Sequence, residues 1–187
     1  MKCIVQKSHR RSISACVRSD GTVLVKAPLF MSDAAIRKFL AEKQGWLDKK
    51  LEEAAAAQKE IEQLGYFSAE ELASIRKKAR KIIPQRVEHY SKISGISYGR
   101  ISIRLQKSRW GSCSVRGNLN FNCLLAVMPE EILDSVVVHE LCHRRYMNHS
   151  KEFYAEVLRL FPDYRRCSAW LKEHGGVYLA RANHCQM

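Results

Sequence analysis

Residues 139–149 contain an H-E-x-x-H motif followed by a further histidine, which places His139, Glu140, His143 and His149 in one short segment. Residues four apart on a helix lie on the same face, so His139 and His143 can direct two imidazoles to one point with Glu140 beside them. A catalytic zinc ion takes three protein ligands and keeps its fourth position open. The spacing therefore predicts one Zn²⁺ per chain, held by His139, His143 and His149.

Glu140 is expected to act as a base rather than as a metal ligand. A carboxylate next to the first ligand can take a proton from water and pass it to a leaving group. Bound zinc lowers the pKa of water from 15.7 to about 7, which makes this transfer feasible at neutral pH. The motif thus predicts a metal-dependent hydrolase with Glu140 as its catalytic residue. No acyl-enzyme is expected, because Cys113 and Cys142 have no positioned base.

Other metals and a closed structural site are the alternatives to catalytic zinc. Imidazole also binds copper, nickel and iron, but the ligand set and the open position favour zinc. Cys142 could serve as a fourth ligand, yet it is adjacent to His143 and points roughly 100° away from that residue on a helix. We interpret Cys142 as a small core residue.

The histidines require a buried helix and a bend after it. Pro129 and two glutamates suit the first turn of a helix, and the apolar residues that follow, up to Val138, predict its burial. We expect this helix to end near Asn148 and Ser150 to cap the next helix, residues 151–161. His149 would then lie on the bend. The candidates for hydrogen-bond partners of the histidines are Glu152, Glu156 and Asp163.

Alternating apolar and polar residues predict two strands before this helix, at 101–105 and 119–123. The polar segment 107–117 between them contains two glycines and is expected to return the chain antiparallel. A last helix should begin at Pro162 and end where Gly175 and Gly176 release the tail.

The first part of the chain predicts an antiparallel β-meander followed by helices. Short strands are expected at 2–7, 12–18 and 22–27, with Ser19-Asp20-Gly21 as a hairpin turn. Ser32 should cap a helical stretch that runs to about Leu64 and is divided near Gly45. A capping box, Ser68 to Glu71, should then start a basic helix that ends near residue 93, with a kink or break at Pro84.

The composition is that of a globular protein with a cationic surface. The 187 residues carry 32 Lys and Arg against 19 Asp and Glu, a net charge of +13, which would attract nucleic acid, acidic proteins or anionic lipids. Seven cysteines without a C-x-x-C pair argue against a disulfide framework. With no long apolar segment, we expect a cytoplasmic protein that does not enter the membrane.

Four segments together resemble the YgjP-like metallopeptidase family, which is related to the WLM and SprT-like zincins: Ser108–Ser114, Gly117–Asn122, Val136–His143 and Asn148–Ser150. The resemblance implies a minimal zincin-like fold with the three histidines as zinc ligands and Glu140 as base. In zincins a substrate strand adds to the edge of a sheet. We expect this surface to be formed by six residues: Arg109, Trp110, Gly111, Ser112, Asn120 and Asn122.

Taken together, the sequence predicts an α+β protein with a small antiparallel sheet, a helix pair that carries the metal and an N-terminal β-meander lobe. The expected regions are 1–66, a catalytic region 67–175 and a flexible tail 176–187. The expected function is a zinc metallopeptidase whose partner is a peptide or protein. Three alternatives are a nucleotide phosphohydrolase that uses Arg109, Arg144 and Arg145, a protease that binds nucleic acid weakly through its basic surface, and a metal-dependent binding module.

Overall fold

The computed structural model describes residues 2–18 and 20–183. It combines helices with two small three-stranded mixed sheets, which confirms the predicted α+β class. The chain divides into two compact units, Met1–Gly65 and Tyr66–Met187, and each contains its own buried apolar cluster. Within the described residues, no helix has the length and apolar character needed to cross a membrane.

The first unit contains three strands and two helices: β1 (Cys3–Ser8), β2 (Ser14–Val17), β3 (Val23–Pro28), α1 (Asp33–Glu42) and α2 (Gln44–Leu64). Ser32 caps α1 as predicted, because its hydroxyl accepts a hydrogen bond from the Ala35 N–H at 3.2 Å. The predicted division of the helical stretch is also confirmed, at Lys43. The core of the first unit is formed by alternate residues of β3 together with one residue from each helix, Ile36 and Leu47.

The predicted meander in this unit is wrong in its strand order. β3 lies in the centre, pairs in parallel with β1 and pairs antiparallel with β2. The consecutive buried residues Val23, Leu24 and Val25 favour the central position, because a central strand is covered on more sides than an edge strand. The turn before β3 contains Gly21 at φ 74° and an Asp20 carboxylate that accepts the Thr22 N–H. Ser19, the other residue of the predicted turn, lies outside the described residues.

The second unit contains four helices, three strands and a short 3-10 helix at Cys123–Val127. Its elements are α3 (Ala69–Ser94), β4 (Ile101–Arg104), β5 (Gly111–Cys113), β6 (Leu119–Asn122), α4 (Glu130–Cys142), α5 (Lys151–Leu160) and α6 (Tyr164–Asn183). The capping box at Ser68 and Glu71 is present. α3 continues as one helix through Pro84, so the chain does not break there. Buried residues on both sides of the proline, Ile83 and Val87, hold the helix against the core.

The second sheet also differs from the expected antiparallel pair. β6 lies in the centre, parallel to β4 and antiparallel to β5. The prediction that segment 107–117 returns the chain antiparallel from β4 to β6 is therefore wrong. That segment contains a strand of its own, β5, and the tight turn at Ser114–Gly117 makes β5 the antiparallel neighbour. Three residues, Gly-Ser-Cys, offer no apolar alternation from which β5 could have been predicted.

An ion pair between α3 and α4 fixes the helix that carries His139. Asp134 on α4 is buried and accepts two hydrogen bonds from the Arg86 guanidinium, one of them from Nε at 2.6 Å. The Tyr90 hydroxyl lies 3.1 Å from the same carboxylate. A bidentate pair of this kind sets the orientation of both helices as well as their separation.

Two predicted helix ends are wrong. α4 ends at Cys142 rather than near Asn148, and no non-glycine residue in the described chain has a positive φ, so Asn148 does not provide a left-handed cap. α6 continues through Gly175 to Asn183, so residues 176–183 are helical and are not a released tail. A Cβ atom on Gly175 would lie 2.9 Å from the Trp110 ring. This glycine therefore permits a close contact instead of ending a helix. Residues 184–187 lie outside the described residues.

Candidate metal centre

The three histidines of the motif converge on one point. The Nε2 atom of His139 lies 3.2 Å from Nε2 of His143 and 3.1 Å from Nε2 of His149. His139 is in the last turn of α4, and His143 is the C-cap residue directly after that helix. His149 precedes α5. Ser150 caps α5 as predicted, with its hydroxyl accepting the Phe153 N–H, so the bend that carries His149 is held from its far side.

These separations fit a tetrahedral zinc site. Zinc–nitrogen bonds of about 2.0–2.1 Å at tetrahedral angles place the nitrogens about 3.4 Å apart, close to the two observed distances. The ligand atoms of the three residues all lie within 4.8 Å of one another, and Cys142 is not part of the group. Cys142 is completely buried. It is a core residue, as the sequence indicated.

The second nitrogens of two histidines have defined partners. Nδ1 of His139 lies 2.8 Å from the Tyr164 hydroxyl, and Nδ1 of His143 lies 3.0 Å from the Tyr146 carbonyl oxygen. A ring whose Nε2 lone pair faces a metal carries its proton on Nδ1 and donates it to such an acceptor. Neither partner is one of the three carboxylates expected to bind the histidines, Glu152, Glu156 and Asp163. Glu156, for example, pairs with Arg145 and Arg159 instead.

Phe153 on α5 supports all three imidazoles. Its ring centroid lies 4.6 Å from that of His143 in a stacked arrangement and 5.0 Å from those of His139 and His149 in edge contacts. The side chain is completely buried. A rigid ring in contact with each ligand restricts the rotamers that the histidines can adopt, and preorganises their nitrogens.

Burial controls the charges of the site. Desolvation, reinforced by His143 and His149, lowers the pKa of His139 to about 3, and burial also lowers the pKa of His143. Both rings are therefore neutral near pH 7, which is the form that binds a metal. Burial raises the pKa of the Glu140 carboxyl to about 8. A cation nearby lowers such a pKa again, so metal binding and ionisation of Glu140 are coupled.

Glu140 projects from α4 against strand β5. A Cβ atom on Gly111 would lie 2.6 Å from both Cγ and Oε1 of Glu140. Only a glycine at this position leaves room for the carboxylate. The arrangement therefore combines three imidazoles with one buried carboxylate at the edge of a sheet, which is suited to hydrolysis by water that a metal activates.

The sequence model of the family described as YgjP-like, metallopeptidase domain, matches residues 11–73 and 71–174. These matches cover most of the chain. The chain belongs to the YgjP-like metallopeptidase family. It is a metal-dependent hydrolase, as the sequence predicted. A comparison with curated proteins found no match.

Two solved structures resemble part of this YgjP-like protein. The metallopeptidase zymogen abylysin from Pyrococcus abyssi is 22% identical, with a TM-score of 0.46, over 50% of this chain and 96% of abylysin. The metallopeptidase zymogen jannalysin from Methanocaldococcus jannaschii is 23% identical, with a TM-score of 0.44, over 49% of this chain and 94% of jannalysin.

A cleft beside the metal centre, here named the Glu140 cleft, has a volume of about 220 Å³. Three of the six residues expected to bind substrate line it, namely Arg109, Trp110 and Gly111. Trp110 also packs against α6, at Gly175. The opposite wall is provided by residues of α4 and α6: Ser135, Val136, His139, Glu140, Tyr164, Ser168 and Leu171.

The other three expected substrate residues lie elsewhere. Ser112 and Asn120 face each other across β5 and β6, and the Asn120 amide lies 3.3 Å from the Ser112 hydroxyl. Side chains alternate along a strand, so both point to the face opposite Gly111 and Glu140. Neither lines the Glu140 cleft. Their contact with substrate stays a prediction.

Asn122 is completely buried, and its direct contact with substrate was a wrong prediction. Its amide donates to the carbonyl oxygens of Gln106 and Arg109, at 2.9 and 3.0 Å, and its own oxygen accepts the Leu124 N–H. Asn122 is a positioning residue. It holds the loop that brings Arg109, and with it Trp110, to the cleft.

Two functional contacts escaped the sequence interpretation. Tyr164 lies 25 residues from His139 in the sequence. The sequence pattern identifies Phe153 only as one apolar residue of an amphipathic helix. Neither position carries a local signal that distinguishes a support of the metal site from ordinary core packing.

Proposed function

We propose that this YgjP-like protein is a zinc-dependent peptidase in which His139, His143 and His149 hold one Zn²⁺ and Glu140 is the general base. The observation that carries the proposal is the separation of the imidazole nitrogens, 3.1 and 3.2 Å, next to a buried carboxylate. When bound, zinc lowers the pKa of water to about 7 and polarises a carbonyl oxygen. The Glu140 carboxylate accepts a proton from the attacking water and returns it to the leaving amine.

The free edge of β5 supports binding of an extended peptide. The Asn122 N–H donates to the Trp110 carbonyl oxygen, and the Ser114 N–H donates to the Asn118 carbonyl oxygen. Hydrogen-bonded pairs alternate along an antiparallel ladder, so the peptide groups of Gly111 and Cys113 face away from β6. Within the described chain β5 has no strand on that side. A substrate strand added there passes next to Glu140, which contacts Gly111.

Metal analysis tests the proposed ligands. The purified protein should contain one zinc ion per chain, and His139→Ala or His143→Ala should remove it. A structural role for the histidines without metal predicts instead that the wild type binds no zinc after dialysis against the ion. Copper, nickel and iron, tested in parallel, identify the metal that supports turnover.

A Glu140→Gln variant tests the mechanism. It should bind zinc like the wild type and cleave a casein or mixed-peptide substrate at least about 100-fold more slowly, because general-base catalysis contributes 10²–10⁴-fold. Glu152→Gln, a substitution of an exposed carboxylate on α5, is the matched control and should keep full activity. Equal activity of Glu140→Gln and the wild type would exclude Glu140 as the base.

The finer expectations about location and partners belong to the proposal. The six cysteines in the described part of the chain are unpaired, which supports a reducing, cytoplasmic location. A weak nucleic-acid contact would use the exposed basic residues of α3: Lys77, Lys78, Arg80 and Lys81. Binding through phosphates would weaken steeply between 50 and 200 mM salt, and a filter-binding titration over that range tests it.

A further inference from the structure

A second cleft, here named the Arg165 cleft, lies between α5 and α6 and has a volume of about 380 Å³. Two tyrosines and two cations dominate its lining, which consists of Tyr154, Tyr164, Arg165, Ser168, Ala169 and Lys172. Arg165, Ser168 and Lys172 follow one another at helical spacings of three and four residues, so they share one face of α6. The Arg165 cleft is therefore a groove in which α6 provides a positively charged wall.

The Arg165 cleft adjoins the Glu140 cleft. Tyr164 and Ser168 line both this cleft and the Glu140 cleft. On the other wall, the Tyr154 ring centroid lies 6.1 Å from that of the metal ligand His149. A peptide whose scissile bond lies at Glu140 can thus extend over Tyr164 into the Arg165 cleft.

The two cations of this cleft have no carboxylate partner in the described part of the chain. Arg165 and Lys172 are exposed, and neither forms an ion pair there. Neighbouring arginines differ in this respect. Arg145 and Arg159 share Glu156, and Arg166 pairs with Glu131 and Asp163. Glu131, Asp163 and Glu156 are thus paired with other arginines, and Arg165 and Lys172 form no ion pair within the described residues.

We propose that Arg165 and Lys172 form a carboxylate-binding subsite, so that the preferred substrate is a peptide with an acidic group close to the scissile bond. The inference rests on the proposed peptidase function, because it concerns the same substrate. The Arg165 guanidinium can bind a carboxylate through two parallel hydrogen bonds, and Lys172 adds a point charge. The carboxylate comes from an Asp or Glu side chain or from the C-terminus of the peptide.

Peptide binding to zinc-loaded Glu140→Gln protein tests the subsite without turnover. The probes are fluorescent Ala/Leu decapeptides with one Glu or one Gln moved through each position, with a free or an amidated C-terminus, and the readout is fluorescence anisotropy. At one register the Glu peptide should bind about two- to fivefold more tightly than its Gln counterpart, as expected for an exposed ion pair. If amidation removes the preference, the C-terminus supplies the carboxylate.

Substitutions that remove the two positive charges test which residues cause the preference for the Glu peptide. In Arg165→Gln/Lys172→Gln, combined with Glu140→Gln, the Glu-to-Gln affinity ratio should fall to about one while the Gln peptides bind as before. The matched control is Lys77→Gln/Lys81→Gln on α3, which removes the same net charge outside the cleft and should keep the preference. Thermal denaturation of both double variants establishes that they are folded.

Three results would contradict the proposed subsite. The Glu-to-Gln affinity ratio could be one at every register, or it could be unchanged by Arg165→Gln/Lys172→Gln. The third is that no peptide binds measurably at 1 mM. Failure of the peptidase proposal is seen separately, as a lack of zinc or as turnover that Glu140→Gln leaves unchanged. The two inferences therefore fail in different measurements.

Discussion

The Glu140 side chain occupies the space that a Cβ atom on Gly111 would fill, at 2.6 Å from both Cγ and Oε1. Strand β5 thus has no side chain at this position, which leaves room for the Glu140 carboxylate. This contact connects the free sheet edge, where a substrate strand is expected, with the carboxylate that is expected to move the proton. In the proposed mechanism, Gly111 therefore positions both the substrate and the base.

Gly111→Ala should reduce kcat by about 100-fold, because displacement of a catalytic group by about 1 Å costs a factor of that size. Zinc content should not change, since Gly111 is not one of the proposed ligands. The measurements are steady-state kinetics and metal analysis on the same preparation. Gly176→Ala is the control, because a Cβ atom there meets nothing within 4 Å. Full activity of Gly111→Ala would show that Glu140 can act from another position.

Tyr164→Phe should weaken zinc binding by about 10- to 100-fold, because it removes the acceptor that orients His139. Competition with a chromophoric chelator measures the affinity. Tyr154→Phe, on the other wall of the Arg165 cleft, serves as control and should bind zinc normally. Equal affinity of Tyr164→Phe and the wild type would mean that Phe153 and the helix alone orient His139.

Phe153→Leu should lower both stability and zinc affinity. The smaller side chain leaves a cavity among the three imidazoles and should reduce the free energy of unfolding by about 1–2 kcal/mol. Phe121→Leu on β6 replaces another completely buried phenylalanine and controls for the stability loss alone. Urea denaturation with and without zinc separates the effects, since only Phe153→Leu should lose part of the stabilisation that zinc provides. An equal loss of that stabilisation in both variants would contradict the role of Phe153.

Asn122→Ala should disorder the loop that carries Arg109 and Trp110. Its amide group pairs with two partly buried carbonyl oxygens and one buried N–H, and leaving a buried group unpaired costs about 1–3 kcal/mol. We expect lower stability in urea denaturation together with a higher KM. Asn120→Ala, which removes a single long hydrogen bond of 3.3 Å, should have a smaller effect on stability. An unchanged KM in Asn122→Ala would mean that the loop keeps its position without this amide.

The sequence alone determined the features that depend on residue type and local spacing. The four residues of the motif, the caps at Ser32, Ser68 and Ser150, and the burial of α4 could be predicted, because each depends on neighbours within about one helical turn. His139 and His143, two of the proposed metal ligands, belong to this group as well. An i, i+4 pair brings two imidazoles together in any helix, whatever the rest of the fold does.

The tertiary structure decided which distant segments meet. β3 and β6 are central in their sheets, and no local pattern specifies which strand pairs with which edge. α6 does not end at Gly175, and the glycine instead leaves room for the Trp110 ring, 65 positions earlier in the sequence. In the same way, the roles of Gly111, Asn122 and Tyr164 depend on contacts with residues 13 to 29 positions away. Side-chain packing in three dimensions, rather than sequence periodicity, selects those contacts.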